Sequence, residues 1–144
     1  MSTRIRINQA EPAAYRAMVA FDNYVSTTGL TQMHKDLIKI RASQINGCAY
    51  CIDLHTRDAR KAGETEQRIY ALNAWRETPF FTPEERAILA LTEEVTFISN
   101  HVKDSTYEAA AILFTEQYLS QIIMAIISIN AWNRVGIATG MSPV

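Results

Sequence analysis

Residues 45–55 read INGCAYCIDLH, and this stretch contains both cysteines of the chain together with a histidine one helical turn later. An Asn-Gly pair typically ends a helix, so a new helix is expected to begin at about Cys48. Cys51 and His55 are four residues apart, which places them on one face of that helix. Cys48 is seven residues before His55 and falls on nearly the same stripe. The stretch therefore predicts two helices joined by a tight turn, with three titratable groups together at a helix N-terminus.

Helical signals continue along the rest of the chain. Apolar residues recur at helical spacing, and several segments open with a capping residue or an early proline. The segment Thr82-Pro83-Glu84-Glu85 has the pattern of a capping box, and Ser105-Thr106-Tyr107-Glu108 repeats it. Strand patterns, internal repeats and linker-like stretches are absent from the sequence. The prediction is one all-α domain over residues 1–144 with about six to seven helices, whose starts are expected near Pro12, Thr31, Cys48, Thr65, Thr82, Thr106 and Glu116.

The composition excludes several classes of protein. The 144 residues carry 14 Lys+Arg against 15 Asp+Glu, so the formal net charge of −1 gives no electrostatic reason to expect nucleic acid as a partner. Two cysteines are too few for a disulfide scaffold. The N-terminus lacks the apolar core of a signal peptide, because Arg4, Arg6 and Glu11 interrupt it. We therefore expect a soluble, cytoplasmic protein with no membrane partner.

The last predicted helix is unusually apolar. Residues 118–138 are long enough to cross a bilayer, at about 20 residues, but Asn130 and Arg134 fall inside the stretch and would be costly in lipid. Its isoleucines go most of the way round the helix, and such a helix must be buried on all sides. We expect a homo-oligomer, since a subunit contact makes that burial easier. A monomer with this helix at its centre is the alternative.

The cysteine pair and its histidine fit thiol chemistry. Only the thiolate is a competent nucleophile, and a helix N-terminus, a Cys-x-x-Cys partner or a nearby imidazole lowers the pKa of a thiol. His55 can take the proton of a thiol directly or through a water molecule. A second cysteine can then resolve a sulfenic acid by forming a disulfide.

Two other interpretations of the cysteines stay open. They could be small core residues, or they could bind zinc with His55, in which case His34, His101 or Asp36 would supply the fourth ligand. The second Cys-x-x-Cys or His pair of a common zinc site is missing from the sequence, and we predict no metal. We therefore expect His34 and His101 to be surface histidines. No dinucleotide or flavin fingerprint is present either, so no cofactor is predicted.

The stretch from Leu37 through Cys51 to His55 resembles the carboxymuconolactone decarboxylase superfamily, and within it the alkylhydroperoxidase D-like (AhpD-like) branch. The resemblance resumes at residues 129–134 in the last helix and covers roughly residues 15–138. It implies an all-helical fold, a homotrimer or homohexamer, and reduction of hydroperoxides through the cysteine pair. By this resemblance Cys51 attacks the peroxide, Cys48 is the proton donor and resolving thiol, and His55 relays protons through a water molecule.

Two positions depart from the pattern of that branch. A glutamate that orients the histidine is replaced by Asp36, whose side chain is one methylene shorter, so a water bridge to His55 is expected in place of direct contact. A second histidine is replaced by Tyr50, a phenol that can donate a hydrogen bond. The expected catalytic residues are therefore Cys51, Cys48, His55 and Asp36, with Tyr50 in support.

The leading functional prediction is a thiol-dependent peroxidase. Its partners would be a hydroperoxide substrate and a reducing protein or small thiol that opens the disulfide. One alternative is a redox-sensing or stress-associated interaction protein with little turnover. The other is a lactone decarboxylase, the second chemistry of the superfamily, which does not need a thiol pair.

Overall fold

Helices form nearly all of the chain in the computed structural model, which describes residues 4–144. No strand occurs among these residues. The helices are α1 (Ile7–Ala10), α2 (Pro12–Thr27), α3 (Gln32–Asn46), α4 (Ala49–Lys61), α5 (Glu66–Tyr70), α6 (Pro83–Thr96), α7 (Asp104–Leu113) and α8 (Glu116–Thr139). Short 3₁₀ segments cover Leu72–Glu77 and Ile98–Asn100. The all-α prediction is confirmed, and each expected helix is present, with the four-residue α1 in addition.

Capping residues identified in the sequence begin three of these helices. The side chains of Thr31 and Thr65 accept hydrogen bonds from backbone N–H groups in the first turns of α3 and α5. Thr82 and Glu85 form the full reciprocal capping box at the start of α6. Each cap satisfies a donor that the helix geometry leaves without a partner, which explains why these positions were predictable.

Two helix boundaries differ from the prediction. Helix α7 begins at Asp104, and Ser105 lies inside it without capping it. The reason is a contact from α6, where the Glu94 carboxylate accepts hydrogen bonds from the Lys103 N–H and the Thr106 hydroxyl. The sequence also predicts a fourth helix that carries Leu72 and Trp75, but α5 ends at Tyr70 and these two residues lie in the 3₁₀ segment.

A buried ion cluster holds α5 against α6. Arg68 donates to the carboxylates of Glu64 and Glu85, with nitrogen–oxygen distances of 2.8 and 2.9 Å. Both glutamates are almost fully buried. The pKa of Arg68 is raised: burial alone would lower it, and its hydrogen bonds to Glu85 and Glu64 outweigh the burial. The cluster ties the loop between α4 and α5 to the capping box of α6.

Helix α8 contributes most to the main hydrophobic core, which it forms with α2, α3, α6 and α7. The helix is long and apolar enough to cross a membrane. Of the residues in its most apolar 18-residue stretch, 44% are buried within this chain. One chain does not bury α8 on all sides, as the alternative of a monomer with a central helix would require. Met124, Ile127 and Ile137 are exposed, because no other helix within the described residues covers them.

Candidate active site

The turn between α3 and α4 places the two cysteines. Gly47 ends α3 in the left-handed conformation, with φ of 71°, a conformation that favours glycine. Cys48 then caps α4, since its Sγ accepts a hydrogen bond of 3.3 Å from the Cys51 N–H. The two cysteines form a disulfide, and both side chains are buried. The predicted helix–turn–helix and the pairing of the thiols are therefore present in the structure.

A network of buried amides and hydroxyls anchors this turn to α8. Asn46 Nδ2 donates to the Oδ1 atoms of Asn130 and Asn133, at 3.0 Å each. Asn133 Nδ2 in turn donates to Ser43 Oγ at 3.0 Å, and Asn130 Nδ2 donates to Thr96 Oγ1 at 3.0 Å. A buried polar network with its groups satisfied holds its members rigidly. The residues that resemble the AhpD-like branch in α8 thus fix the turn that carries Cys48.

Gly136 of α8 lies directly against the sulfur atoms. A Cβ atom at this position would stand 3.1 Å from Cys48 Sγ and 3.6 Å from Cys51 Sγ. The first distance is shorter than ordinary van der Waals contact. A glycine at this position therefore lets α8 pack closely over the disulfide.

A cavity of about 230 Å³ opens beside Cys51. Its walls come from α2, α3, α4 and α8, and most of the side chains that line it are apolar or aromatic. Tyr15 and Trp132 meet edge to face in one wall, with ring centroids 5.7 Å apart. Tyr50, Cys51 and His55 all line the cavity. The position is suitable for a small organic molecule that must reach the Cys51 sulfur.

His55 is a neutral imidazole at neutral pH. Its pKa is lowered to about 4, chiefly because burial disfavours the charged ring. The positive charge of Lys39 lowers this pKa further, and the carboxylate of Asp58 opposes the effect. A neutral imidazole has a free nitrogen lone pair, so His55 can accept a proton from a thiol or a water molecule.

Asp36 is buried in α3. Among the residues that the structure describes, Asp36 and His55 form no hydrogen bond with each other. Asp36 Oδ1 accepts a hydrogen bond of 2.8 Å from Gln32 Nε2. Burial raises the pKa of the Asp36 carboxyl, while the hydrogen bond from Gln32 and the charge of Lys39 work in the opposite direction. Lys39 thus acts electrostatically on both Asp36 and His55, and it also lines the cavity. A water-bridged link from Asp36 to His55 stays a prediction.

The residues considered as further zinc ligands have other surroundings. His34 is half-buried, with its Nδ1 2.6 Å from the Tyr118 hydroxyl and its ring edge to face with Phe114, so the expectation of a surface histidine is wrong for it. His101 is exposed, as expected. Within residues 4–144, no group of three or more His, Cys, Asp or Glu side chains is arranged to hold a metal ion. The arrangement gives the zinc interpretation no support.

Three residues of the site were not identified from the sequence. Lys39, Ser128 and Gly136 reach the cavity or the sulfur atoms only because α3 and α8 pack against α4. Each of them lies on a helix face whose orientation depends on tertiary contacts. The one available signal was position: Gly136 follows closely after the second block of resemblance, and Lys39 lies within the first.

These features define a dithiol site in a helical bundle. The disulfide lies at the start of one helix, a neutral histidine follows one turn later, and a cavity lies beside them. The pattern of the carboxymuconolactone decarboxylase family matches residues 12–94. The chain therefore belongs to this family.

Similar proteins support the assignment along the whole chain. The uncharacterized protein YdfG of Bacillus subtilis is 44% identical over 141 residues, which cover 97% of this chain and 96% of YdfG. The crystal structure of ATU0492 from Agrobacterium tumefaciens, a protein of unknown function provisionally named an antioxidant defence protein AhpD, has 39% identity and a TM-score of 0.95, with 99% of each chain covered.

A more distant structure shares the fold. It is an uncharacterized peroxidase-related protein from Ralstonia eutropha, described as an alkylhydroperoxidase AhpD core. It is 23% identical, with a TM-score of 0.83, and the match covers 95% of this chain and 74% of that one. The AhpD-like fold predicted from the sequence is confirmed.

Proposed function

We propose that the protein is a thiol-dependent peroxidase that reduces hydroperoxides at Cys51. The observation that carries the proposal is the Cys48–Cys51 pair beside a cavity that also contains the neutral His55. The provisional name of ATU0492 agrees with this assignment.

The proposed reaction proceeds in two steps. The Cys51 thiolate attacks the terminal oxygen of the hydroperoxide: a sulfur–oxygen bond forms, the oxygen–oxygen bond breaks, and the alkoxide takes a proton from the Cys48 thiol. The Cys48 thiolate then attacks the sulfenic acid of Cys51: the disulfide bond forms, the sulfur–oxygen bond breaks, and the departing hydroxide takes the proton that His55 accepted from Cys51 and leaves as water. A reducing protein or small thiol returns two electrons and two protons to complete the cycle.

The neighbouring residues have distinct roles in this proposal. His55 accepts the proton of Cys51, directly or through a water molecule, and so generates the nucleophile. The positive charge of Lys39 favours the thiolate over the thiol. Asp36 is a positioning residue that acts on His55 through a bridging water. Tyr50 supplies a hydrogen bond to the peroxide oxygen.

The test is to reduce the protein fully, add one equivalent of hydroperoxide and map the thiols by mass spectrometry. Parent protein should yield the Cys48–Cys51 disulfide, and Cys51→Ser should stop peroxide consumption. Cys48→Ser should still consume one equivalent and accumulate a sulfenic acid at Cys51 that dimedone traps. If Cys51→Ser consumes peroxide at the parent rate, the proposal fails.

The same assay separates the two alternative functions. A redox-sensing or stress-associated protein would oxidise once and show no turnover with an external dithiol. A lactone decarboxylase would convert carboxymuconolactone equally well when both cysteines are replaced by serine. Sustained peroxide turnover that requires Cys51 distinguishes the peroxidase from both.

We further propose that the protein acts as a cytoplasmic homo-oligomer, a trimer or hexamer. The uncovered side of α8 supports an oligomer, since Met124 and Ile127 are exposed there. An apolar groove that includes Ile98, Tyr107 and Ile127 continues this surface between α6, α7 and α8. Light scattering of the purified protein measures the subunit number, and Ile127→Glu should shift the mass toward the monomer while leaving the helix content unchanged.

A further inference from the structure

Ser128 is a buried hydroxyl with no hydrogen-bond partner. It is 2% exposed, and its Oγ is the one buried side-chain polar atom of residues 4–144 that bonds to nothing. Other hydroxyls in helices of this chain donate to a carbonyl one turn earlier, as Ser43 does to Lys39 and Ser120 does to Glu116. A buried hydroxyl without a partner is costly, so such groups usually have a ligand or a functional reason.

Ser128 lines the cavity beside Cys51, on the α8 wall that also includes Gly136. It precedes Gly136 by eight residues, which is about 12 Å along the helix axis. Gly136 marks the end of the cavity next to the sulfur atoms. Ser128 therefore marks a second, polar position about two helical turns from the reacting sulfur. Between them the α8 wall is formed by Ile129, Trp132 and Val135.

The charges around the cavity favour a neutral group at that position. Lys39 and Asp22 both line the cavity and carry opposite charges, so these two side chains add no net charge to its lining. His55 is uncharged at neutral pH, and Asp36 lies outside the lining. Ser128 can rotate about its first side-chain torsion to donate or accept a hydrogen bond, which suits a hydroxyl or carbonyl oxygen better than an ion.

We propose that Ser128 is a substrate-binding residue that hydrogen-bonds an uncharged oxygen-bearing group on the organic part of the hydroperoxide. The preferred substrate is an aliphatic hydroperoxide with a hydroxyl or carbonyl group about four carbons from the peroxide. Of the 12 Å or so along the helix, the hydrogen bond at Ser128 and the contact with the sulfur each take about 3 Å, and about four carbons span the rest. The apolar residues between the two ends bind the chain. This inference rests on the proposed peroxidase function and names the substrate class of the same site.

The experiment compares butyl hydroperoxide with 4-hydroxybutyl hydroperoxide, and includes hydrogen peroxide as a substrate too short to reach Ser128. In the Ser128→Ala variant, KM for the hydroxylated substrate should rise about three- to tenfold, the loss expected for one hydrogen bond between neutral groups. kcat should be unchanged, as should both constants for the other two substrates. Ser120→Ala is the matched control on the same helix, and the melting temperature of Ser128→Ala should not fall below that of the parent.

A binding measurement keeps this inference separate from the peroxidase proposal. Binding of 1,4-butanediol and 1-butanol to the disulfide form can be followed by the fluorescence of Trp132, which lines the cavity. The parent should prefer the diol, and Ser128→Ala should lose that preference. If no hydroperoxide is turned over but the diol preference depends on Ser128, the peroxidase function fails and the binding role stands. Equal binding of both alcohols by the parent, or an equal loss for all substrates, overturns the role of Ser128.

Discussion

Replacing Gly136 by alanine tests how closely α8 packs over the sulfur atoms. The added methyl would stand 3.1 Å from Cys48 Sγ, where the sulfur and the helix backbone must move by a few tenths of an ångström. Overpacking of this kind costs about 1–3 kcal/mol. Alanine also favours the helix over glycine by about 1 kcal/mol. The free energy of unfolding should therefore fall by about 1 kcal/mol, and the melting temperature by about 3 °C.

The same methyl should slow the reaction at Cys51. It would lie 3.6 Å from Cys51 Sγ and would narrow the end of the cavity through which a peroxide reaches that sulfur. A barrier increase of about 1.4 kcal/mol corresponds to a tenfold slower rate. The rate is measured by stopped-flow oxidation of the reduced protein, or by alkylation of Cys51 with iodoacetamide.

Gly29→Ala is the matched control. Its Cβ would meet only Gln121 Oε1, at 3.6 Å, which is ordinary contact, so stability and rate should stay close to those of the parent. If Gly136→Ala instead raises the melting temperature and reacts at the parental rate, α8 does not lie against the sulfurs as described. The reasoning about the packing of the site would then be refuted.

Three further variants probe the site and its support. His55→Asn should make stability less dependent on acid pH. The pKa of His55 is 6.5 in the unfolded chain and about 4 in the folded protein, so between these pH values the unfolded chain binds more protons, and the stability that neutral His55 contributes is lost as the pH falls through that range. Melting temperatures at pH 7 and pH 4.5 measure this loss. Asn133→Ala should lower the free energy of unfolding by about 2–3 kcal/mol in urea, because Asn46 and Ser43 lose a buried partner. Arg68→Met should cost about 3 kcal/mol in the same assay, since it leaves the Glu85 carboxylate buried without its cation.

The features that local sequence determines were the ones that could be predicted. The turn before Cys48 follows from the Asn-Gly pair, because the left-handed conformation at Gly47 favours glycine. The capping box at Thr82 is likewise complete within four residues. The spacing of Cys51 and His55 sets their common face of α4. Each of these depends on contacts within one or two helical turns.

The features that depend on distant contacts were not predictable. The start of α7 is set by Glu94 of α6, ten residues before Asp104 in the sequence, so the local pattern at Ser105 was misleading. The histidine at position 34 was expected on the surface, and its burial comes from Tyr118, 84 residues away. The roles of Lys39 and Ser128 likewise arise only when four helices meet around one cavity.

The sulfur of Cys48 caps the first turn of α4 in addition to its role in the proposed chemistry. Because this sulfur caps α4, a substitution at Cys48 affects the stability of the first helical turn and also removes one of the two thiols. Alanine removes the cap at a cost of about 1 kcal/mol, whereas serine keeps an acceptor there. A comparison of the two variants therefore separates the contribution of the reactive sulfur from that of the helix start.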